Sequence, residues 1–492
     1  MHLTRRRFAQ GLAATAAVGT LGRAGAQPTN RETAHAHSGL QELASKIRER
    51  EISSVELTQY LIDRIEKRDE ALNAVVVRNF ERALDAARAA DEALAAGRDL
   101  GPLHGIPMTV KESFDVTGLE TTWGIPAAAG KNVATGDAVV VERLQQAGAH
   151  ILGKTNVPLL LADTQSYNAI YGTTNNPWNV ERTPGGSSGG AGAALAAGFT
   201  PLEAGSDIGG SIRNPAHFCG VYGHKPTWGV VPMRGHTPPG AAAVPQDADL
   251  AVVGPLARSA EDLAFAFELL AGPDILHSPG WKLDLPAPRA ASLSELRIAV
   301  WPTDEVAPVS DEMAGRVLDV ADRLAKLGAK VSDTARPSFD PAHHQKTYMA
   351  LLNAIVGTTP ATNIGYRVWM AEHAQRGALR VAWQEFFDEW DLVLCPSSAT
   401  EGFPHDQSPI FSRTLAIDDR RVPYFQQIFW AGLATLCYLP STVFPTGPSS
   451  SGMPIGLQAI GPAYGDRTTL EFARLVAEPL GGFTPPPDYA AE

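Results

Sequence analysis

Apolar side chains return at Leu57, Leu61 and Ile65 within SSVELTQYLIDRIEKRD (53–69), the spacing of one face of an amphipathic helix. Ser53 and Glu56 precede that face in the capping-box pattern. A second helix is predicted over 81–97, rich in alanine and stopped at Gly97. Short apolar runs predict strands at 107–111, 150–154, 296–301, 391–396, 441–446 and 454–461, with helical windows at 310–328, 368–390 and 467–478 between several of them. Strands alternating with helices predict an α/β architecture in which helices cover a mixed sheet. No solenoid-type repeat is present. The stretch LPAPRAASLS (285–294) is the most linker-like, and nothing in it requires a second independent domain.

Composition narrows this picture. The chain has 492 residues, 44% hydrophobic and 19% charged, which excludes disorder and suits a large core. A net charge of −12, with no basic run outside the extreme N-terminus, argues against nucleic acid as a partner. No window is apolar for long enough to span a membrane. The N-terminus itself reads as an export signal of the twin-arginine type: Arg5, Arg6 and Arg7, a short apolar run (11–21), then AGA (24–26). Cleavage after Ala26 removes four arginines and no acid, taking the net charge to −16, and predicts a periplasmic or secreted protein. Cys219, Cys395 and Cys437 fit no disulfide framework or CxxC pair, and the histidines form no HExxH, so neither a metal nor a cofactor is expected.

The candidate chemistry lies in GGSSGG (185–190) and SDIGGSIR (206–213). A flexible linker would continue in Gly and Ser, but AGAALAAGF (191–199) follows at once and predicts a tightly packed helix. No lysine completes a phosphate loop, GxGxxG fails at Leu195, and no serine stands in GxSxG. What remains is chemistry by the serines, which need a base. His104, His217, His224 and His236 are near in sequence. Lys111, at the end of the apolar strand in GIPMTVKESFDVTG (105–118), is the other candidate, because burial can lower a lysine's pKa until its amine accepts a proton.

The stretch PGGSSGGAGAALAAGFTPLEAGSDIGGSIRNPAHFCGVYGHKP (184–226) resembles the defining motif of the amidase signature family. So do GPLHGIPMTVKESFDVTG (101–118), GKTNVP (153–158), NAIYGTTNNPWN (168–179) and GMPIGLQAIGP (452–462), and the resemblance covers most of the chain. It implies an α/β/α fold around a central mixed sheet, with helices on both faces. It also implies a Ser–cis-Ser–Lys triad. By position, Ser211 matches the nucleophile, Ser187 the bridging serine with a cis bond to Gly186, and Lys111 the base. Backbone N–H groups of Ile208, Gly209, Gly210 and Ser211 would hold the oxyanion, while Ser188, Ser206, Asp207 and Arg213 would support the loops. His217 and His224 become structural or pocket-lining.

The expected organisation is one amidase domain over 27–492: N-terminal helices (38–97), signature core (about 100–270), helical variable region (about 300–390) and C-terminal strands (391–492). The expected reaction is hydrolysis of a small-molecule carboxamide, a linear amide other than a peptide bond. Two alternatives stay open: an esterase on the same triad, and a non-catalytic or transamidation subunit. Family members act on fatty amides, aryl acylamides, peptide C-terminal amides, indole acetamide and nylon oligomers. Residues 159–171, 232–250 and 340–390 are the expected specificity segments, with Tyr167, Trp228, Tyr348, Trp369 and Phe429 as candidate pocket walls. A homodimer is left open.

Overall fold

The structure, a computed structural model, describes residues 35–241, 247–357 and 364–490, so the twin-arginine segment and its cleavage site lie outside the described residues. Eight strands form the main sheet, in the order Lys330–Ser332, Arg297–Val300, Leu392–Pro396, Pro454–Ile460, Ser441–Pro448, Tyr222–Lys225, Val252–Ala257, Leu202–Asp207. The first three are parallel and every later pairing is antiparallel, so the sheet is mixed. A smaller sheet places Val75–Arg78 antiparallel to His150–Thr155, which runs parallel to Pro107–Lys111.

Helices cover the main sheet on both faces, and adjacent residues of one strand show it, because successive side chains of a strand point to opposite sides. Val443 packs with Ala191, Leu195, Ile212, Ala216 and Cys219 of the Gly189–Ala196 and Arg213–Cys219 region. Its neighbour Phe444 meets Phe472 of the helix Asp466–Leu480, ring centroids 5.5 Å apart. The Gly189–Ala196 helix is apolar all round and buried at every position, as its sequence GGAGAALA requires. A Cβ on Gly192 would stand 3.0 Å from the carbonyl oxygen of Pro215, so the absence of side chains is what lets these two helices approach.

The Ser54–Arg68 helix begins with the reciprocal capping box: Ser53 Oγ accepts from the Glu56 N–H, and Glu56 accepts from the Ser53 N–H. The strands expected at 107–111, 150–154, 296–301, 391–396, 441–446 and 454–461 all form, within two residues at either end. The strands at 202–207, 222–225 and 252–257 carry no sequence signal. They are buried on both faces, so no alternation marks them, and LEAGSD (202–207) is poor in β-formers. The linker-like stretch 285–294 is irregular but pinned, with Leu285 and Ala290 buried and the Arg289 guanidinium donating to the carbonyls of Phe387 and Trp390. Among the described residues no helix is long and apolar enough to cross a membrane.

The topology brings two strand ends together. The 107–111 strand packs against the 202–207 edge of the main sheet, tied by the Thr109 N–H donating to Thr200 Oγ1 at 3.0 Å. Lys111 ends one strand and Asp207 the other.

Candidate active site

Every residue of the 107–111 strand is buried, and Lys111 is carried wholly out of solvent with it. Its Nζ stands 2.7 Å from Ser187 Oγ and 2.9 Å from Ser206 Oγ. Burial lowers its pKa to about 7, although the carboxyls of Asp207, Glu203 and Glu112 pull the other way. An amine in this state exchanges a proton near neutrality, which an ordinary surface lysine does not.

The GGSSGG turn supplies Ser187, and the Gly186–Ser187 peptide bond is cis. Only glycine fits before it. A Cβ on Gly186 would lie 2.5 Å from the carbonyl oxygen of Gln165 and 2.6 Å from that of Asp163. Ser166 secures the turn from the same segment, accepting from the Gly189 N–H at 3.0 Å and donating to the Gly185 carbonyl at 3.1 Å. The segment is anchored in turn by a buried ion pair, Arg413 to Asp163 at 2.6 Å, with the Tyr424 hydroxyl donating to the same carboxylate at 2.7 Å. Asp163, Ser166 and Arg413 were not candidates from sequence. Arg413 lies 250 residues from Asp163, and no local pattern joins them.

The second loop is organised by Asp207. Its carboxylate accepts from the N–H groups of Gly210 (2.9 Å) and Ile212 (3.1 Å), and pairs with the Arg213 guanidinium through Nε (3.0 Å) and Nη2 (2.9 Å), all fully buried. Burial alone would raise the Asp207 pKa, but the Arg213 charge and hydrogen bonds outweigh it, with Lys225 and the Gly210 N–H adding to them, and hold it at about 2. Arg213 also donates to the Ala431 carbonyl, Gln458 Oε1 and Thr435 Oγ1, which bolts the loop to the helix Ile428–Thr435 and the 454–460 strand.

One of the expected roles becomes specific and another changes. Ser206, expected among the supporting residues, reaches Lys111 Nζ directly with its hydroxyl. The Gly210 N–H is engaged by Asp207, so of the four N–H groups expected to face an oxyanion it is the one already used. Those of Ile208, Gly209 and Ser211 make no hydrogen bond among the described residues. Gly210 is needed for another reason: its φ is +97°, and a Cβ there would strike the Asn214 side chain at 2.8 Å.

Ser211 meets the GGSSGG turn through its backbone, its carbonyl accepting from the Ser188 N–H at 3.2 Å, and the residue is 7% exposed. No hydrogen bond joins the Ser187 and Ser211 hydroxyls among the described residues. The structure thus joins Lys111, Ser187 and Ser206 by direct side-chain contacts, and links Ser211 to the same turn through its backbone.

The histidines are occupied elsewhere. His217 Nε2 donates to the Thr400 carbonyl at 3.0 Å and its Nδ1 accepts from the Gly456 N–H at 2.7 Å. His224 lies between Thr442 Oγ1 (2.9 Å) and Asp466 Oδ1 (3.2 Å). His104 accepts from the Leu100 N–H and donates to the Ala90 carbonyl. His236 sits between Phe114 and Trp123 with Ser113 as its hydrogen-bond partner. None contacts Ser187, Ser188 or Ser211 through a hydrogen bond. Of the aromatic residues expected to line a pocket, Phe429 is instead core, fully buried against Trp301 and Trp430. Trp228 stacks on Tyr438 with centroids 4.8 Å apart, and Trp369 stacks on His373 at 4.9 Å.

The chain and its fold have counterparts among known proteins. The Amidase family model matches residues 56–364 and 355–470. The chain belongs to the amidase family, the amidase signature enzymes. It is 34% identical over 478 residues to a glutamyl-tRNA(Gln) amidotransferase subunit of Moorella thermoacetica, covering 88% of this chain and 94% of that protein. It is also 34% identical over 468 residues to the indoleacetamide hydrolase of Bradyrhizobium diazoefficiens, covering 89% and 86%. Among solved structures, 6-aminohexanoate cyclic dimer hydrolase complexed with substrate superposes with a TM-score of 0.75 at 26% identity, over 90% of this chain and 97% of that one. A bacterial aryl acylamidase of the amidase signature family shares the fold, with a TM-score of 0.78 at 24% identity, over 92% and 98%.

Proposed function

We propose that this protein is an amide hydrolase that forms an acyl-enzyme on Ser211, with Ser187 and neutral Lys111 as the proton relay. The observation that carries the reading is the 2.7 Å contact between Ser187 Oγ and an amine whose proton affinity burial has brought near neutrality. Lys111 takes the Ser187 proton while Ser187 takes that of Ser211, and the Ser211 oxygen adds to the substrate carbonyl carbon. The N–H groups of Ile208, Gly209 and Ser211 receive the oxyanion. The C–N bond then breaks, and the relay runs in reverse to protonate the departing amine. Water attacks the resulting ester by the same route, releasing a carboxylic acid and restoring Ser211. Ser206, donating to or accepting from Lys111, keeps the amine aimed at Ser187.

A fluorophosphonate probe followed by peptide mapping is expected to label Ser211. Labelling confined to Ser187 or Ser188 would reverse the assigned roles, and labelling that survives Lys111→Ala but not His217→Ala would restore a histidine base.

The substrate is a small carboxamide, as for the indoleacetamide hydrolase and the 6-aminohexanoate cyclic dimer hydrolase the chain resembles. Esters are a second substrate class, since an acyl-enzyme cleaves both. Similarity to the glutamyl-tRNA(Gln) amidotransferase favours one competing reading, a transamidation subunit that needs partner chains. Turnover of a panel of aryl, alkyl and peptidyl amides by the isolated chain separates them; activity appearing only with added partners would support the second. We further infer export through the twin-arginine route from Arg5–Arg7 and the run that follows. Mass spectrometry of the mature protein is expected to find Gln27 at the N-terminus, and an intact Met1 in the cytosol would refute export.

A further inference from the structure

Among the described residues, Tyr348 is the one aromatic residue from the expected specificity segments whose hydroxyl reaches the second serine loop. It lies on the helix Pro341–Val356, is fully buried, and its hydroxyl donates to the carbonyl oxygen of Ile208 at 2.7 Å. That oxygen belongs to the same planar peptide group as the Gly209 N–H. In a trans peptide the C=O and N–H point in opposite directions, so a bond that fixes one fixes the other. The Ile208–Gly209 bond is trans, the one cis bond of the described residues being Gly186–Ser187. The Gly209 N–H has no hydrogen-bond partner of its own among the described residues.

The neighbouring peptide groups are held differently. Asp207 engages the Gly210 N–H, and the Gly210 carbonyl accepts from the Asn214 N–H at 2.6 Å, which sets the direction of the Ser211 N–H. Only the 208–209 group relies on a side chain from outside the signature core. The Tyr348 ring is seated for this task. It crosses Gly432 so closely that a Cβ there would lie 2.5 Å from the ring. Burial pushes the phenol pKa up, so the hydroxyl stays a donor at every working pH.

We propose that Tyr348 is a positioning residue for the oxyanion site: by holding the Ile208 carbonyl it turns the Gly209 N–H toward the developing negative charge. The proposal rests on the acyl-enzyme reading above. It predicts an effect on the transition state and not on ground-state binding. Loss of a direct oxyanion donor costs about 100- to 1,000-fold in kcat, so loosening one through its peptide is expected to cost roughly 10-fold.

The test uses the full-length enzyme and an amide it turns over. Tyr348→Phe is expected to lower kcat about 10-fold with KM within two-fold, and to weaken a trifluoromethyl ketone, whose serine adduct carries the oxyanion, by a similar factor. Replacing Tyr348 with 4-aminophenylalanine, which restores a donor at the same place, is expected to return kcat to within three-fold of the parent. The inference is overturned if Tyr348→Phe leaves kcat and ketone affinity unchanged, or if it lowers only the melting temperature. It is equally overturned if the 4-aminophenylalanine enzyme, folded and with an unchanged melting temperature, is as slow as Tyr348→Phe. If Tyr348→Phe fails to fold, the 4-aminophenylalanine enzyme alone decides, through retained or lost kcat. Failure of the underlying reading looks different, because the parent enzyme would then not label at Ser211 with the fluorophosphonate.

Discussion

Lys111→Ala is expected to lower the rate of acylation by about 100- to 10,000-fold at neutral pH, the range a positioned general base supplies. The reason is local. Ser187 Oγ has Lys111 Nζ as its neighbour at 2.7 Å, and every histidine that could have substituted is bound elsewhere. Partial recovery is expected at high pH, where solvent hydroxide removes the serine proton. In the parent enzyme kcat/KM is expected to fall about ten-fold per pH unit below roughly 7, because protonation of the amine removes the base. A profile flat from pH 5 to 9 would refute the assignment.

The same lysine opposes folding, and the sign can be worked out. Unfolded Lys111 titrates near its ordinary value of 10.5 and folded Lys111 near 7, so between these the unfolded chain holds more protons and the lysine's contribution to stability grows with pH. Lys111→Met is therefore expected to be more stable than the parent, most of all below pH 7, with the gap narrowing toward pH 10.5. Urea midpoints at pH 6 and pH 9 test this. A gain that grows with pH would show that the amine is not buried in the way described.

Asp207→Ala is expected to cost about 3–5 kcal/mol of stability and to abolish activity, because it leaves the Arg213 guanidinium buried without its partner. Arg213 is fully buried, and its other acceptors are two carbonyls and a hydroxyl that carry no charge. The carboxylate also gathers the Gly210 and Ile212 N–H groups, so the loop that presents Ser211 loses its centre. Adding Arg213→Met to Asp207→Ala is expected to recover part of the stability and none of the activity. Chemical denaturation of the single and double variants measures the coupling; additive losses would mean that the two charges do not depend on each other. The folded Asp207 pKa is depressed to about 2 from 3.8, so its contribution is present above pH 4 and is lost as pH falls toward 2.

How far these expectations were legible from sequence differs by residue. The serines of GGSSGG and SDIGGSIR and the strand-end Lys111 are visible as candidates from their contexts, alongside four histidines, but it is the resemblance to the amidase signature family that singles out Lys111, Ser187 and Ser211. The capping box at Ser53 and Glu56 and the strand at 107–111 are local patterns, and they form as their residues dictate. Asp207 and Arg213 were visible as a pair six residues apart. The strand at 202–207, which delivers Asp207, was not, because a segment buried on both faces and built from Leu, Glu, Ala, Gly and Ser shows no period.

Sequence alone thus determined which residue types were present for chemistry, and roughly which strands and helices would carry them, since periodicity, caps and turns act over a few residues. Only the tertiary structure decided what those residues touch. It gave Ser206 to Lys111, took the Gly210 N–H for Asp207, set Arg413 against Asp163 behind the Gly186 turn, and brought Tyr348 to the Ile208 carbonyl. Contacts spanning 95, 250 and 140 residues depend on which strand edges and helices meet, and no short window of sequence records that. The lysine's altered proton affinity belongs to the same class, because it comes from burial, which the finished fold supplies.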